Sequence, residues 1–211
     1  MNKNEKFVIT INRELGSGGR TVGCKLAEKL GVPFFDKALI TELEKKFHLT
    51  LEEIEDLKSQ KHSWWADFKR QMSLGEDAVR YYQVEMGKEP EELTTFALFK
   101  SEDEIYNNLA EQESCVVAGR TGFYAFRNHP NHLNIFIQAP MSFRVARIMR
   151  KRNITEDEAR KTIEEVDKMR ENYVKEYTNT SRYDARNYDL VINTDGKTED
   201  ELVDTIMKFI G

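Results

Sequence analysis

Phe7-Val8-Ile9-Thr10-Ile11 runs into Asn12-Arg13-Glu14-Leu15-Gly16-Ser17-Gly18-Gly19-Arg20-Thr21, and Val22 to Leu30 follows. The first five residues are a short, largely β-branched run, the signature of a buried strand. Beyond the glycine cluster, Val22, Leu26, Ala27 and Leu30 recur at helical spacing, and Gly31 stands where a helix C-cap belongs. A glycine-rich loop between a strand and a helix is the context of a phosphate cradle. Small residues let backbone N–H groups turn inward, and the helix N-terminus adds a favourable dipole. Against Gly-x4-Gly-Lys-[Ser/Thr], aligning Gly19 and Thr21 places Arg20 at the lysine and Glu14 at the first glycine. Arg20 keeps a permanent charge that can grip phosphate oxygens, and Thr21 keeps a hydroxyl for Mg²⁺. Glu14 must be neutralised, by Arg13 or by a share in the metal.

Outward from this loop, Val32-Pro33-Phe34-Phe35 predicts a second strand ending at Asp36. Further strands are predicted at Cys115–Ala118, Leu133–Ile137 and Leu190–Ile192. Ser142 to Tyr177 reads as a long charged helical region. Leu202, Val203, Ile206, Met207 and Ile210 lie on one helical face near the end of the chain. Apolar strands alternating with helices predict an α/β fold with a parallel sheet covered on both faces. Ligands in such sheets bind beyond the carboxyl ends of the strands, where the glycine loop, Asp36 and Arg120 all fall. Lys37 to Gln112 is mostly helical in pattern, with helix-start signals at Thr50-Leu51-Glu52-Glu53 and Pro90-Glu91-Glu92. Trp64 and Trp65 are expected to pack inside this inserted part.

Composition narrows the function classes. Thirty-two Lys and Arg against thirty-seven Asp and Glu give a net charge of -5, which argues against nucleic acid as the partner. No apolar run is long enough for a bilayer span, and the polar Met1–Lys6 start predicts no signal peptide. The two cysteines, Cys24 and Cys115, form neither a metal motif nor a disulfide scaffold, so a cytoplasmic protein is expected. His48, His62, His129 and His132 show no ligand spacing and are all expected at the surface.

The stretch from Ile9 to Ile40, ITINRELGSGGRTVGCKLAEKLGVPFFDKALI, resembles the opening of the cytidylate kinase-like family, in which the GSGGR loop is itself the usual form. The resemblance resumes at VVAGRTGFYAFRN, at LNIFIQAPMSFRVARIM, at DKMRENYVKEYT and at YDLVINT. It implies the three-layer P-loop fold of nucleoside monophosphate kinases: one domain over 1–211 with a five-stranded parallel sheet, a helical acceptor-binding insertion at about 41–113 and a lid at about 144–180. It also implies ATP and Mg²⁺ as donor and cofactor. Gly16, Ser17, Gly18, Gly19, Arg20 and Thr21 would wrap the donor phosphates, with Asp36 and Arg120 on the acceptor; Asp36 reads equally as the N-cap of the following helix, and could serve both roles. Cytidylate kinases read Gly-Arg-Asp where this chain has Gly119-Arg120-Thr121, so CMP as acceptor does not follow from the family alone.

Phosphoryl transfer needs cations where charge develops. Arg144 and Arg147 share a helix face, Arg150 drifts round it, and Asp167 and Arg170 repeat the i,i+3 spacing. Arg147 and Arg170 are the candidates for catalytic arginines alongside Arg20, and Arg182 and Arg186 read as structural. The leading expectation is a kinase acting on a small molecule such as a nucleoside monophosphate. A nucleotide-binding module with little catalysis, and a P-loop transferase with another donor or a non-nucleotide acceptor, are the alternatives.

Overall fold

Strand β1 (Val8–Arg13) is buried along nearly its whole length and forms the centre of the sheet. In this computed structural model the described residues are 1–35, 110, 113–119 and 121–211. The chain divides into two units, 1–36 with 106–211 and 37–105, and the sheet with its flanking helices lies in the first. Asp36, Arg120, His48, His62, Trp64, Trp65 and the helix starts expected at Thr50 and Pro90 lie outside the described residues. So does nearly all of the expected insertion.

Over the described residues the elements after β1 are α1 (Gly19–Leu30), β2 (Phe34–Phe35), β3 (Cys115–Val117), α2 (Gly122–Ala125) and β4 (His132–Gln138). They continue with α3 (Met141–Arg152), α4 (Glu156–Thr178), β5 (Leu190–Asn193) and α5 (Glu199–Ile210). The five strands are parallel in the order β2-β3-β1-β4-β5, with Val8 opposite Cys115 on one side and His132 on the other. Placing β1 in the middle brings its C-terminal end, and the loop after it, between the ends of β3 and β4.

The two sheet faces differ in chemistry. On one, Ile9, Ile11, Val116, Leu133, Ile135, Ile137 and Ile192 pack against Val22, Leu26 and Ala27 of α1 and Leu202, Val203, Ile206 and Ile210 of α5. This is the core that the sequence periodicity predicts. Gly31 ends α1 in the left-handed conformation, its N–H bonded to Glu28 O. The other face mixes buried Val8, Cys115, Val117 and Phe136 with polar groups: the Thr10 hydroxyl meets Asn134 Oδ1 and His132 Nε2, and Asn12 Nδ2 donates to the Tyr188 hydroxyl at 2.9 Å. Gly122 of α2 approaches so closely that a Cβ there would lie 2.9 Å from Thr10 Cγ2.

Two expectations change here. The helical region predicted over Ser142–Tyr177, with Arg144 on one helix and Asp167 in the next stretch, is two helices whose break the sequence does not locate. Asn153 takes a left-handed φ of 53°, and Thr155 caps α4 by accepting from Glu158 N. The pair packs on the phosphate loop through Leu15, Val145, Ile148, Ala159, Ile163 and Val166. His132, expected at the surface, is instead half-buried on β4, its Nδ1 2.9 Å from Phe126 O. Burial holds its pKa down to about 4. The same effect pushes the buried Cys115 thiol up to about 12, whereas Cys24 is exposed.

Candidate active site

The loop after β1 is built by a few backbone bonds. Glu14 N donates to Ile137 O at 3.0 Å and so extends the ladder by one residue. The Ser17 hydroxyl turns back to Glu14 O at 2.9 Å, and the Thr194 hydroxyl at the end of β5 donates to Ser17 O at 2.9 Å. Between these ties the chain twists through Gly16 at φ 84° and Gly18 at φ 86°, values that favour glycine strongly. A Cβ at Gly16 would lie 2.9 Å from the Arg144 carbonyl oxygen, so the loop lies tight against α3.

At the start of the helix after the loop, Gly19 N donates to the Ser17 hydroxyl at 3.4 Å. Gly18 caps α1 without a side-chain hydrogen bond, and the first turn holds no acidic residue. By contrast, α4 and α5 are capped by Thr155 and Thr198, and each carries three acidic residues in its first turn. A helix start without acidic side chains is one that suits an anion from outside the helix. Gly16, Gly18 and Gly19 line this cradle, with Ser17 buried beneath it. Arg20 and Thr21 are solvent-exposed in the first turn.

Behind the loop lies a charge cluster. The Asp167 carboxylate, 6% exposed, accepts from Leu15 N at 3.0 Å and from Arg144. Its Oδ1 is also 3.6 Å from both Arg170 and Arg182. Arg170 donates to Arg13 O at 3.0 Å, and the fully buried Arg182 donates to the same oxygen. Each guanidinium therefore has a carboxylate or carbonyl partner, which is what makes charges at this depth tolerable. Glu14 faces away from the cradle: its Oε2 accepts from Ala139 N at 3.0 Å and lies 3.6 Å from Arg144 Nε. The carboxylate that the sequence leaves to Arg13 or a metal is neutralised by α3 and its entry turn.

Arg147 stands on the solvent side of α3. A Cβ at Gly18 would be 3.4 Å from its guanidinium carbon, and its Nη2 donates to Glu199 Oε1 at 2.8 Å. That bond holds the Glu199 carboxyl below its ordinary pKa. Arg147 is thus brought to the loop's outer side, whereas Arg170 lies beneath the loop. Arg186 is exposed and pairs with Asp184. Asp167, Thr194 and Glu199 are the positions that sequence reasoning misses. Of these, only Asp167 gave a signal, its i,i+3 spacing to Arg170. Thr121, in place of the family's carboxylate, is 1% exposed. Among the described residues no group of three His, Cys, Asp or Glu is placed to hold a metal.

A parallel sheet in this order, with a glycine loop between its central strand and the first helix, defines a P-loop kinase fold. Two shikimate kinases share it at 16% identity. The enzyme from Acinetobacter baumannii, solved with shikimate, aligns over 99% of this chain and 94% of its own with a TM-score of 0.50. The enzyme from Bacteroides thetaiotaomicron aligns over 97% and 98% with a TM-score of 0.52. An uncharacterized protein from Eubacterium ventriosum ATCC 27560 is more similar, with 24% identity over 97% and 98% and a TM-score of 0.67. At these identities the likeness concerns the fold. No curated protein matches the chain. Within the fold, the chain belongs to the cytidylate kinase-like family, whose sequence profile matches residues 8–196.

Proposed function

We propose that the protein is an ATP- and Mg²⁺-dependent kinase that transfers the γ-phosphate to a small acceptor, with nucleoside monophosphates such as CMP first among the candidates. The observation that carries this reading is the acid-free start of α1 behind two left-handed glycines, with Arg147 alongside. A polyanion is the ligand that such a cradle suits.

In this reading the amides of Gly16 to Thr21 hold the donor phosphates, Ser17 braces the loop from below, and Arg20 adds positive charge at the helix start. Mg²⁺ fits the donor set, since it keeps most of its waters and phosphate oxygens and asks little of the protein; the exposed Thr21 hydroxyl is the first-turn group that would hold it, and when bound it supplies charge neutralisation. Arg147 is assigned to charge developing on the transferred group. Arg170, a candidate for the same task, is assigned to positioning, because its guanidinium is 5% exposed and donates to the Arg13 carbonyl under the loop. Asp36 and Arg120 are assigned to the acceptor from the family resemblance. Lid movement is assigned to the tip of the α3–α4 hairpin around Asn153 to Thr155, because Leu15, Arg144 and Asp167 pin its base. Closing such a lid would exclude water and suppress hydrolysis of the donor.

The buried Thr121 favours keeping the acceptor class broad, since a carboxylate contact of the cytidylate kinase type has no equivalent at that position. The test is ADP release with ATP and Mg²⁺ against nucleoside monophosphates and hydroxy acids such as shikimate. Acceptor-dependent release is the expected result. Nucleotide binding with no release against any acceptor would favour a binding module instead.

A further inference from the structure

The pattern Gly-x4-Gly-Lys-[Ser/Thr] can be laid on this loop in two frames, one residue apart, each with departures. If Gly19 is the second glycine, Arg20 takes the lysine's place. If Gly18 is, Gly19 takes the lysine's place and Arg13 that of the first glycine. The backbone distinguishes them. Gly18 carries φ 86° and caps the helix, a conformation that selects glycine, whereas Gly19 is the first helical residue of α1. Residues 13–20 are therefore the frame: Arg13 and Gly19 exchange the glycine and the cation, Arg20 stands at the Ser/Thr position, and the Thr21 hydroxyl lies one residue beyond it.

The exchanged positions touch. A Cβ on Gly19 would lie 2.7 Å from Arg13 Cβ and 3.1 Å from Arg13 Cγ, so the Arg13 stem occupies the space through which a residue-19 side chain would leave the helix. A lysine at 19 needs a glycine at 13, and an arginine at 13 needs a glycine at 19. Of the three departures from the usual pattern, those at 13 and 19 are one compensated change. Resting on the donor-site reading above, we infer that Arg13 supplies the loop's cation to the donor phosphates in place of the missing lysine. Its root is fixed for this: Arg13 N donates to Asn12 Oδ1 at 3.0 Å, and the carbonyl takes donors from the buried Arg170 and Arg182. A planar guanidinium at that point can grip two phosphate oxygens at once.

The test is calorimetric titration of the full chain with ATP plus Mg²⁺, and separately with inorganic tripolyphosphate, alongside melting curves. Arg13→Met keeps the stem against Gly19 and removes the charge. It is expected to weaken both ligands by roughly tenfold to a hundredfold with the melting temperature retained, and Arg20→Ala to cause a smaller loss. Gly19→Lys alone should melt lower and bind poorly, because its side chain meets the Arg13 stem. The double change Arg13→Gly with Gly19→Lys should bind within a few-fold of the parent protein. Unchanged affinity in Arg13→Met, a larger loss in Arg20→Ala, or a double variant no better than Arg13→Gly would overturn the inference. Failure of the unmodified protein to bind either ligand would overturn the donor-site reading itself.

Discussion

At the scale of single residues, the loop glycines separate strain from collision. Gly16→Ala places a methyl 2.9 Å from a backbone oxygen in a left-handed conformation. It should cost roughly 2–4 kcal/mol. Gly18→Ala meets only the flexible Arg147 head at 3.4 Å and should cost about 1 kcal/mol. Denaturant melts of both variants check the ranking; equal losses would contradict the contact to α3. His132 gives a pH test. Its folded pKa of about 4 lies below the unfolded value of 6.5, so its contribution is complete above pH 6.5 and is lost as pH falls toward 4. Relative to His132→Asn, the parent protein should lose at most about 3 kcal/mol over that window. Matching slopes for the two proteins would contradict the buried neutral imidazole. Both positions show where sequence reading stops. The glycines are visible in the sequence, but their φ values, which set the frame of the motif, are not.

Among elements, the Asp167 carboxylate ties α3 and α4 to the loop alongside the apolar contacts of Leu15. Asp167→Asn leaves the guanidiniums of Arg144, Arg170 and Arg182 without their shared anion and should destabilise by about 3–5 kcal/mol. A change below about 1 kcal/mol in urea unfolding would show that the cluster does not hold these elements together. Glu199→Gln is the contrast. Its bond to Arg147 is partly exposed, so stability should move by less than about 1 kcal/mol, while donor affinity should fall if Arg147 is held in place from α5. The strands, α1 and α5 were legible because their apolar spacing matches a buried core. The break between α3 and α4 was not, since a left-handed Asn and a Thr cap are weak signals inside a long charged stretch. Nor were the polar contacts on the second face of the sheet, where Thr10 and Asn12 sit inside a run that reads as ordinary strand. Asp167 was seen as half of a helix-surface pair, because its other partners are distant in sequence.

For the whole molecule, family, sheet order and loop agree on a P-loop kinase fold, while Asp36 and Arg120, the residues proposed for the acceptor, lie beyond the described residues. The most direct measurement is coupled ADP release with ATP and Mg²⁺ across the acceptor panel, run with Arg147→Ala beside the parent chain. A kinase built this way should give acceptor-dependent release in the parent, reduced by about 100-fold in the variant, with both melting alike. No release with any acceptor, together with no shift in melting on adding nucleotide, would contradict it.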